Sequence, residues 1–534
     1  MKYTIQKAIQ RVGLNRWPVS LILAVSVQSL ALSALQAASA TPEIKDSAIT
    51  RIVEDRLSSA KGLLPNNVDV STSQGMVTLS GSVDNLLDRE RAVKTAKNVR
   101  GVSGVTDQIT VNTVTRPDAD ILSDIQSALK RDPATKSYQT TVVVQDAVAT
   151  VSGSVGSYAE KQLATRIASG VKGVKAVQNQ VAINYLAPRT DDEISADIKA
   201  RLQWDIWVNG ELISPTVKDG KVTLNGTIGS AISKSRAFDD AWVDGVTSVD
   251  DTGLKIESWT HNGTTQKANR ANLADSDIQK AVVTALRADP RQAAALPEVA
   301  VADGVVTLSG NVGNLKAETS AEQDAKNIIG VHKVADQLKV RTLNTAAFGT
   351  QSPAAVEATK QLKAALAWDP WVDSSTIDVA VINHIAYLSG GVESSFQKAE
   401  AQDVASRTDG VLEIRNQLKV QPDRYSLADY YSDYDYYSDY DYGYYNLPYY
   451  NESPYYVAQF SGPQPYKTDA TIKKSIEDRF FWSPFVDRDD IKVTVSGGVA
   501  TLTGSVGTWV GWGEAEKDAH KGGASFVLDM VTVN

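Results

Sequence analysis

The side chains best suited to catalysis or metal binding are few in this chain and far apart. Its 534 residues include no cysteine and only four histidines, at positions 261, 332, 384 and 520. No two of these histidines have the short spacing of a zinc site, and no G-x-S-x-G stretch presents a nucleophilic serine. We therefore expect no enzyme activity, no metal and no cofactor. Paired carboxylates remain an open alternative, because acids are abundant and a sequence does not show the distances between them.

Aromatic side chains form a more distinctive pattern. Three stretches share the sequence W-x-x-[WF]-V, with the ring pairs Trp204/Trp207, Trp368/Trp371 and Trp482/Phe485. One interpretation is core filling, in which a large ring covers the open end of a small sheet. The other is an exposed aromatic rim that enters lipid headgroups or holds a protein partner. Burial of these six side chains distinguishes the two interpretations.

One helical segment has a basic face. In "RERAVKTAKNVRG", Arg91, Lys94 and Lys97 occupy one arc of the predicted helix, and two alanines and Val99 occupy the opposite arc. We predict that these three cations contact anionic lipid headgroups, each contributing up to about 1 kcal/mol. The alternative is a solvated surface. Glu90 on the same helix weakens the lipid interpretation.

The charge distribution indicates export and argues against nucleic-acid binding. The net charge is −9, and residues 1–40 contain four basic residues and no acid, so the remaining chain carries −13. A nucleic-acid-binding protein needs a basic surface, so we expect no such partner. The basic start is followed by an apolar stretch and by "QAASA", which together predict a signal peptide over residues 1–40. A retained membrane anchor is the alternative.

A nonapeptide such as "GVVTLSGNV" occurs six times, which predicts six small domains. In the fourth copy, helical spacing precedes two alternating strands around Asp303-Gly304, and a second helical pattern and a last strand follow. The fold class is α+β: six tandem α-β-β-α-β units, each with a three-stranded mixed sheet covered by two helices. The first glycine of the phrase makes the hairpin turn, and the second marks a bulge or a close backbone approach. These predicted structural glycines are Gly75, Gly81, Gly153, Gly220, Gly226, Gly304, Gly310, Gly390, Gly498 and Gly504.

Two copies lack the turn glycine. Ala147 and His384 stand at that position in copies two and five, which predicts different or strained turns and lower stability there. In copy four, Ser276 is the expected N-cap of the first helix, and Gly330 stands where a glycine would end the second.

The repeated unit resembles the BON domain of osmotically inducible envelope proteins. The resemblance lies in the hairpin phrase and in a Gly-Val pair after the second helix, for example Gly330-Val331. The pair is present in copies one to five, and copy six has Gly522-Gly523-Ala524 instead. The resemblance implies non-enzymatic, periplasmic modules that are linked to stress and bind phospholipid or protein surfaces.

These patterns divide the chain into a signal peptide, six BON-like units and one long linker. The units span residues 44–112, 118–185, 191–257, 275–341, 354–420 and 467–534. Residues 421–466 form the linker, which we predict to be disordered. Within it lies the tyrosine-rich segment, residues 429–456, which has 13 tyrosines, six acids and no basic residue.

The sequence thus predicts a periplasmic envelope-stress protein that binds phospholipid membrane or envelope surfaces. Six weak modules on one chain would act together, so that no single site needs high affinity. The alternative is a scaffold or holdase chaperone that binds proteins through aromatic rims and the tyrosine-rich segment.

Overall fold

The computed structural model describes residues 44–60, 67–257, 273–293, 295–341, 352–420 and 468–533. The predicted signal peptide, the whole linker (residues 421–466) and His261 lie outside these ranges. Within them, no helix is long and apolar enough to span a bilayer.

The six units repeat one element order, helix-strand-strand-helix-strand, as the sequence predicts. The helices are α1 (Asp46–Ser59), α2 (Leu86–Lys97), α3 (Asp118–Arg131), α4 (Tyr158–Ser169), α5 (Asp191–Trp204), α6 (Ala231–Asp240), α7 (Asp275–Ala288), α8 (Leu315–Lys326), α9 (Pro353–Trp368), α10 (Ser395–Ser406), α11 (Asp469–Trp482) and α12 (Trp509–Lys521). The strands are β1 (Val68–Ser73), β2 (Met76–Val83), β3 (Gly104–Val111), β4 (Gln139–Gln145), β5 (Val148–Val155), β6 (Ala176–Ile183), β7 (Ile213–Lys218), β8 (Lys221–Ile228), β9 (Ser248–Ile256), β10 (Glu298–Ala302), β11 (Val305–Val312), β12 (Lys333–Val340), β13 (Ile377–Ile382), β14 (Ile385–Val392), β15 (Glu413–Asn416), β16 (Lys419–Val420), β17 (Ile491–Ser496), β18 (Val499–Val506) and β19 (Phe526–Val533).

Each unit has a mixed sheet whose middle strand is the second strand of the hairpin. In unit one, β1 pairs antiparallel with β2, and β3 pairs parallel with β2. The same order holds in the other units; in unit five the third strand is split into β15 and β16. Alternate residues of the middle strand, such as Val77 and Leu79, are buried, while Thr78 and Ser80 lie on the outer face. The predicted fold class is confirmed.

The hairpin turns have the left-handed backbone that the Asp-Gly pair predicts. Asp303 and Gly304 have φ values of 51° and 71°. Ala147 and His384 keep the same conformation, with φ values of 62° and 65°, so both non-glycine turns are strained.

A carboxylate at the start of the first helix holds this turn. Asp275 accepts hydrogen bonds from the backbone N–H groups of Asp303 and Gly304, at 2.8 and 3.0 Å. Units one, two, three and six have the same contact, whereas the first helix of unit five begins with Pro353. Because this aspartate begins the helix, Ala274 is the N-cap and the prediction of Ser276 was wrong. The second helix ends at Lys326, and Gly330, with φ 87°, lies in the turn that follows.

The second glycine of the phrase passes very close to the backbone that enters the hairpin. A Cβ atom on Gly81 would lie 2.0 Å from the carbonyl oxygen of Asn67. Gly153, Gly226, Gly390 and Gly504 have equivalent contacts at 2.0–2.1 Å. The expected close backbone approach is therefore present in five units. In unit four, the Cβ atom of Gly310 would meet only the backbone nitrogen of Glu298, at 3.8 Å.

The six units pack against one another. Residues Asp46–Asn534 form one compact body. Units three to six each have a hydrophobic core, and three of these cores extend to a neighbour. Trp204 of unit three packs on the core of unit four, and Val510 of unit six belongs to the core of unit three.

Candidate functional site

The units with the W-x-x-[WF]-V sequence dock on the units that lack it. In each docked pair, the first tryptophan of this sequence is the last residue of its helix. Its carbonyl oxygen accepts a hydrogen bond from a backbone N–H of the other unit, that of the residue before a Gly-Val pair. The pairs are Trp204 with Ile329 at 2.9 Å, Trp368 with Lys172 at 2.7 Å, and Trp482 with Arg100 at 3.1 Å. A carbonyl at the C-terminus of a helix has no partner inside the helix, so the neighbouring unit supplies one. The W-x-x-[WF]-V sequence therefore identifies the three units that dock on another unit.

The aromatic side chains of this sequence lie between the units. Trp207 is 5% exposed, and its ring centroid lies 4.5 Å from that of Phe485 in unit six. Trp204, Trp368, Trp371, Trp482 and Phe485 are partly buried. Core filling accounts for Trp207. An exposed aromatic rim does not fit Trp204, Trp207, Trp368, Trp371 or Phe485, because each contacts a neighbouring unit. The ring of Trp482 packs on Phe481 of its own unit.

The predicted basic face on α2 also lies against other units, so it is not an open surface. Arg91 is 7% exposed, and its guanidinium carbon lies 4.5 Å from the ring centroid of Trp371 and 4.3 Å from that of Phe396 in unit five. Lys97 donates a hydrogen bond of 2.9 Å to the hydroxyl of Ser235 in unit three. Burial lowers the pKa of Lys97. The prediction of an exposed cationic face is thereby corrected, since contacts between units cover it.

Four units meet around a partly open cavity of about 320 Å³. Units one and five contribute Arg91, Lys94, Trp368 and Trp371, so predicted cationic and aromatic residues that are far apart in sequence line one space. The lining also includes apolar side chains such as Leu163. Seven cations line it: Arg91, Lys94, Arg131, Arg166, Arg291, Lys316 and Arg407. Five acids line it: Glu90, Asp132, Asp369, Glu400 and Asp409. The cavity lining is thus net positive in a chain that is net negative.

Two of these cations are held by ion pairs between units. Lys316 of unit four lies 2.9 Å from the carboxylate of Asp403 in unit five, and both side chains are buried. Burial acts to raise the pKa of Asp403, but the charges of Arg407 and Lys316 outweigh it and hold that pKa below its ordinary range. Arg291 pairs with Asp132 of unit two at 3.4 Å. These pairs join units two, four and five around the cavity.

Arg131 differs from these paired cations. Its guanidinium carbon lies 5.6 Å from the ring centroid of Trp368, and its Nη1 atom is buried with no hydrogen-bond partner among the described residues. A buried guanidinium N–H without an acceptor is energetically costly. Arg131 also lines the cavity, and it had no signal of its own in the sequence.

Two acids at the cavity, Asp369 in the lining and Asp88 beside it, accept structural hydrogen bonds. Asp369 accepts backbone hydrogen bonds from Trp371 and Val372, at 2.9 and 3.1 Å, and burial raises its pKa to about 6. Asp88, just behind the lining, accepts a 2.8 Å hydrogen bond from Nε1 of Trp371, and burial raises its pKa to about 6. The described residues include no group of three His, Asp or Glu side chains able to hold a metal ion. The arrangement is suited to binding an anion.

Comparison with known families identifies the repeated unit. The BON-domain model matches residues 45–113, 117–185, 190–257, 274–342, 355–422 and 468–534. The chain belongs to the BON-domain family. The osmotically-inducible protein Y of Escherichia coli (strain K12) is 36% identical over 143 residues, which is 26% of this chain and 71% of that protein. The predicted BON identification is therefore confirmed.

Two solved structures also match part of the chain. CdsD, a structural protein of the type III secretion system of Chlamydia trachomatis, is 15% identical and matches with a TM-score of 0.12, covering 42% of this chain and 94% of that one. A second structure, the C-terminal domain of CdsD, is 14% identical and covers 40% of this chain and all of that one, also with a TM-score of 0.12.

Proposed function

We propose that this BON-domain protein is an exported, non-enzymatic envelope protein that binds an anionic phospholipid headgroup in the cavity between units one, two, four and five. The observation that carries this proposal is the cavity lining, in which seven cations, Arg131 among them, outnumber five acids in a chain of net negative charge. The similarity to an osmotically-inducible protein supports a role under osmotic stress.

The cavity suits an anion that also has an apolar part. Its volume of about 320 Å³ is at the lower end of the range for small-molecule sites. The lining cations, among them Arg131 and Lys94, would donate hydrogen bonds to phosphate oxygens, and such charge-assisted bonds contribute about 1.5–3 kcal/mol each. Leu87 of unit one and Ile167 of unit two, both partly exposed, provide apolar surface for the glycerol and the first methylene groups.

This proposal replaces six separate weak sites with one composite site. Residues of four units line the cavity, so a single unit cannot form it. The predicted multivalent mechanism needs exposed binding surfaces on separate units. Two of the predicted cations of α2 instead contact other units, Lys97 unit three and Arg91 unit five. The scaffold or holdase alternative is less well supported, because other units contact five of the six aromatic rings. The tyrosine-rich segment lies outside the described residues.

Vesicle flotation tests the proposal. We expect the protein to float with phosphatidylglycerol vesicles more than with phosphatidylcholine vesicles, and less at high salt. Lys94→Gln and Arg131→Gln should each weaken flotation about 10- to 100-fold in apparent affinity, from the loss of one charge-assisted hydrogen bond. Lys339→Gln, on the exposed outer face of unit four, is the matched control. Flotation unaffected by Arg131→Gln, or absent for the unmodified protein, would overturn the proposed function.

A further inference from the structure

The outer face of the last sheet has an apolar stripe that the other units lack. Phe526, Leu528 and Met530 of β19 are 42%, 46% and 54% exposed. They pair with Val499, Thr501 and Thr503 of β18. The residues at the corresponding positions are Gly104, Thr106 and Gln108 in unit one, Ala176, Gln178 and Gln180 in unit two, and Lys333, Ala335 and Gln337 in unit four. The stripe is therefore specific to unit six and is not a general property of the fold.

This face is also free of acids. The outward residues of β17, β18 and β19 include Lys492 and no aspartate or glutamate, because Asp529 points to the helix side. The outer faces of units one and five include Asp69 and Glu413, which are exposed. A segment that combines aromatic rings with acids would meet apolar surface and one lysine here, without like-charge repulsion from the sheet.

The chain returns to the described structure beside the beginning of this stripe. Residue 468 precedes Asp469, whose carboxylate accepts backbone hydrogen bonds from Gly497 and Gly498 at 2.9 and 2.8 Å. The backbone N–H of Ser525 donates to the carbonyl oxygen of Gly498 at 2.9 Å, and Phe526 follows directly. The segment that precedes unit six thus enters at the end of the sheet where the stripe begins.

We propose that the stripe is a docking surface for the tyrosine-rich segment, residues 429–456 of the same chain. Eleven residues separate Tyr456, the last residue of the segment, from Thr468, and they can span up to about 40 Å when extended. From Phe526 to Met530 the stripe is only about 13 Å long, so the tyrosines can reach all of it. Tyrosine rings pack well on leucine and phenylalanine and make favourable contacts with a methionine sulfur. Both the stripe and this segment occur once in the chain, next to each other in sequence.

Methionine oxidation provides a test with an internal control. The chain has three methionines, and Met76 on the outer face of unit one is 42% exposed, close to the 54% of Met530. The full-length protein would be treated with dilute hydrogen peroxide, and sulfoxide formation at both residues followed by peptide mass spectrometry. A docked segment should slow oxidation of Met530 at least fivefold relative to Met76. A variant with all 13 tyrosines of the segment changed to serine keeps the length and charge, and should remove this protection.

A second variant, with the same tyrosines changed to phenylalanine, keeps the rings and should retain the protection. Equal oxidation rates for Met530 and Met76 in the unmodified protein would overturn the proposal. Protection that persists in the serine variant would also overturn it, and would indicate another occupant. If that protection increased with protein concentration, the occupant would be a second copy of the chain. None of these outcomes depends on lipid binding, so the proposed function is tested separately.

Discussion

Replacing the second glycine of the repeated phrase should have very different effects in units one and four. Gly81 and Gly310 have the same φ, 108°, which side chains other than glycine rarely adopt. Alanine at either position therefore incurs a backbone strain of about 1–3 kcal/mol. Only at Gly81 would the new Cβ atom also meet a backbone oxygen, that of Asn67, at 2.0 Å.

The additional cost at Gly81 follows from what Asn67 does. Its carbonyl oxygen accepts a 2.8 Å hydrogen bond from the backbone N–H of Ser82, so relieving the clash moves or breaks that bond. A lost hydrogen bond costs about 1 kcal/mol, and forcing an atom into packed backbone about 1–3 kcal/mol more. We therefore expect Gly81→Ala to destabilise its hairpin by at least about 2 kcal/mol more than Gly310→Ala does.

Hydrogen exchange measured by mass spectrometry on the full-length protein can resolve this difference. Local opening free energies can be compared in peptides covering β1–β2 and β10–β11, each against the unmodified protein. An extra 2 kcal/mol corresponds to exchange about 30-fold faster. Equal acceleration in the two hairpins would refute the reasoning, because backbone conformation alone would then explain the glycine.

Three further predictions concern a turn, a buried acid and a contact between units. Ala147→Gly should stabilise the hairpin of unit two by about 0.5–1 kcal/mol, since relief of the left-handed strain exceeds the entropy cost of glycine; unchanged exchange in β4–β5 would contradict this. Burial, and then the charge of Asp205, raise the pKa of Asp240 to about 8. Between pH 4 and 8 the unfolded chain releases a proton that the folded protein keeps, so the free energy of unfolding should fall as pH rises across this window. Asp240→Asn should flatten that fall, and an equal pH dependence of the free energy of unfolding in the variant and the unmodified protein would count against it. Trp371→Phe removes the donor to buried Asp88 and should weaken the contact of units one and five by about 1–3 kcal/mol, seen as faster exchange in α2, and unaltered exchange there would argue against it.

The sequence was sufficient for the features that depend on neighbouring residues. The hairpin phrase, the Asp303-Gly304 turn and the strain at Ala147 follow from local chemistry, and the structure has all three. The hydrogen bonds from the turn to the first helix were missed, although a signal exists: an aspartate stands 28 residues before the turn, as Asp275 stands before Asp303. Such a pair is separated by a helix and a strand, so no short motif reports it.

The candidate site was predictable only in part. Arg91, Lys94, Trp368 and Trp371 were identified from the sequence, but as two surfaces on different units. Their convergence in one cavity depends on how units one and five pack, and about 280 residues separate them. Arg131 lies in the last turn of an ordinary amphipathic helix and was missed, because its contact with Trp368 forms only when units two and five pack together.

The number of headgroups bound per chain tests the central claim, one composite site formed by four units, most directly. Native mass spectrometry with dihexanoylphosphatidylglycerol below its critical micelle concentration would count them, with inorganic phosphate as the comparison ligand. We predict one lipid per full-length chain, lost on Arg131→Gln and retained in Lys339→Gln. Binding of up to six equivalent lipids, or one lipid bound equally by the Arg131→Gln protein, would contradict the account.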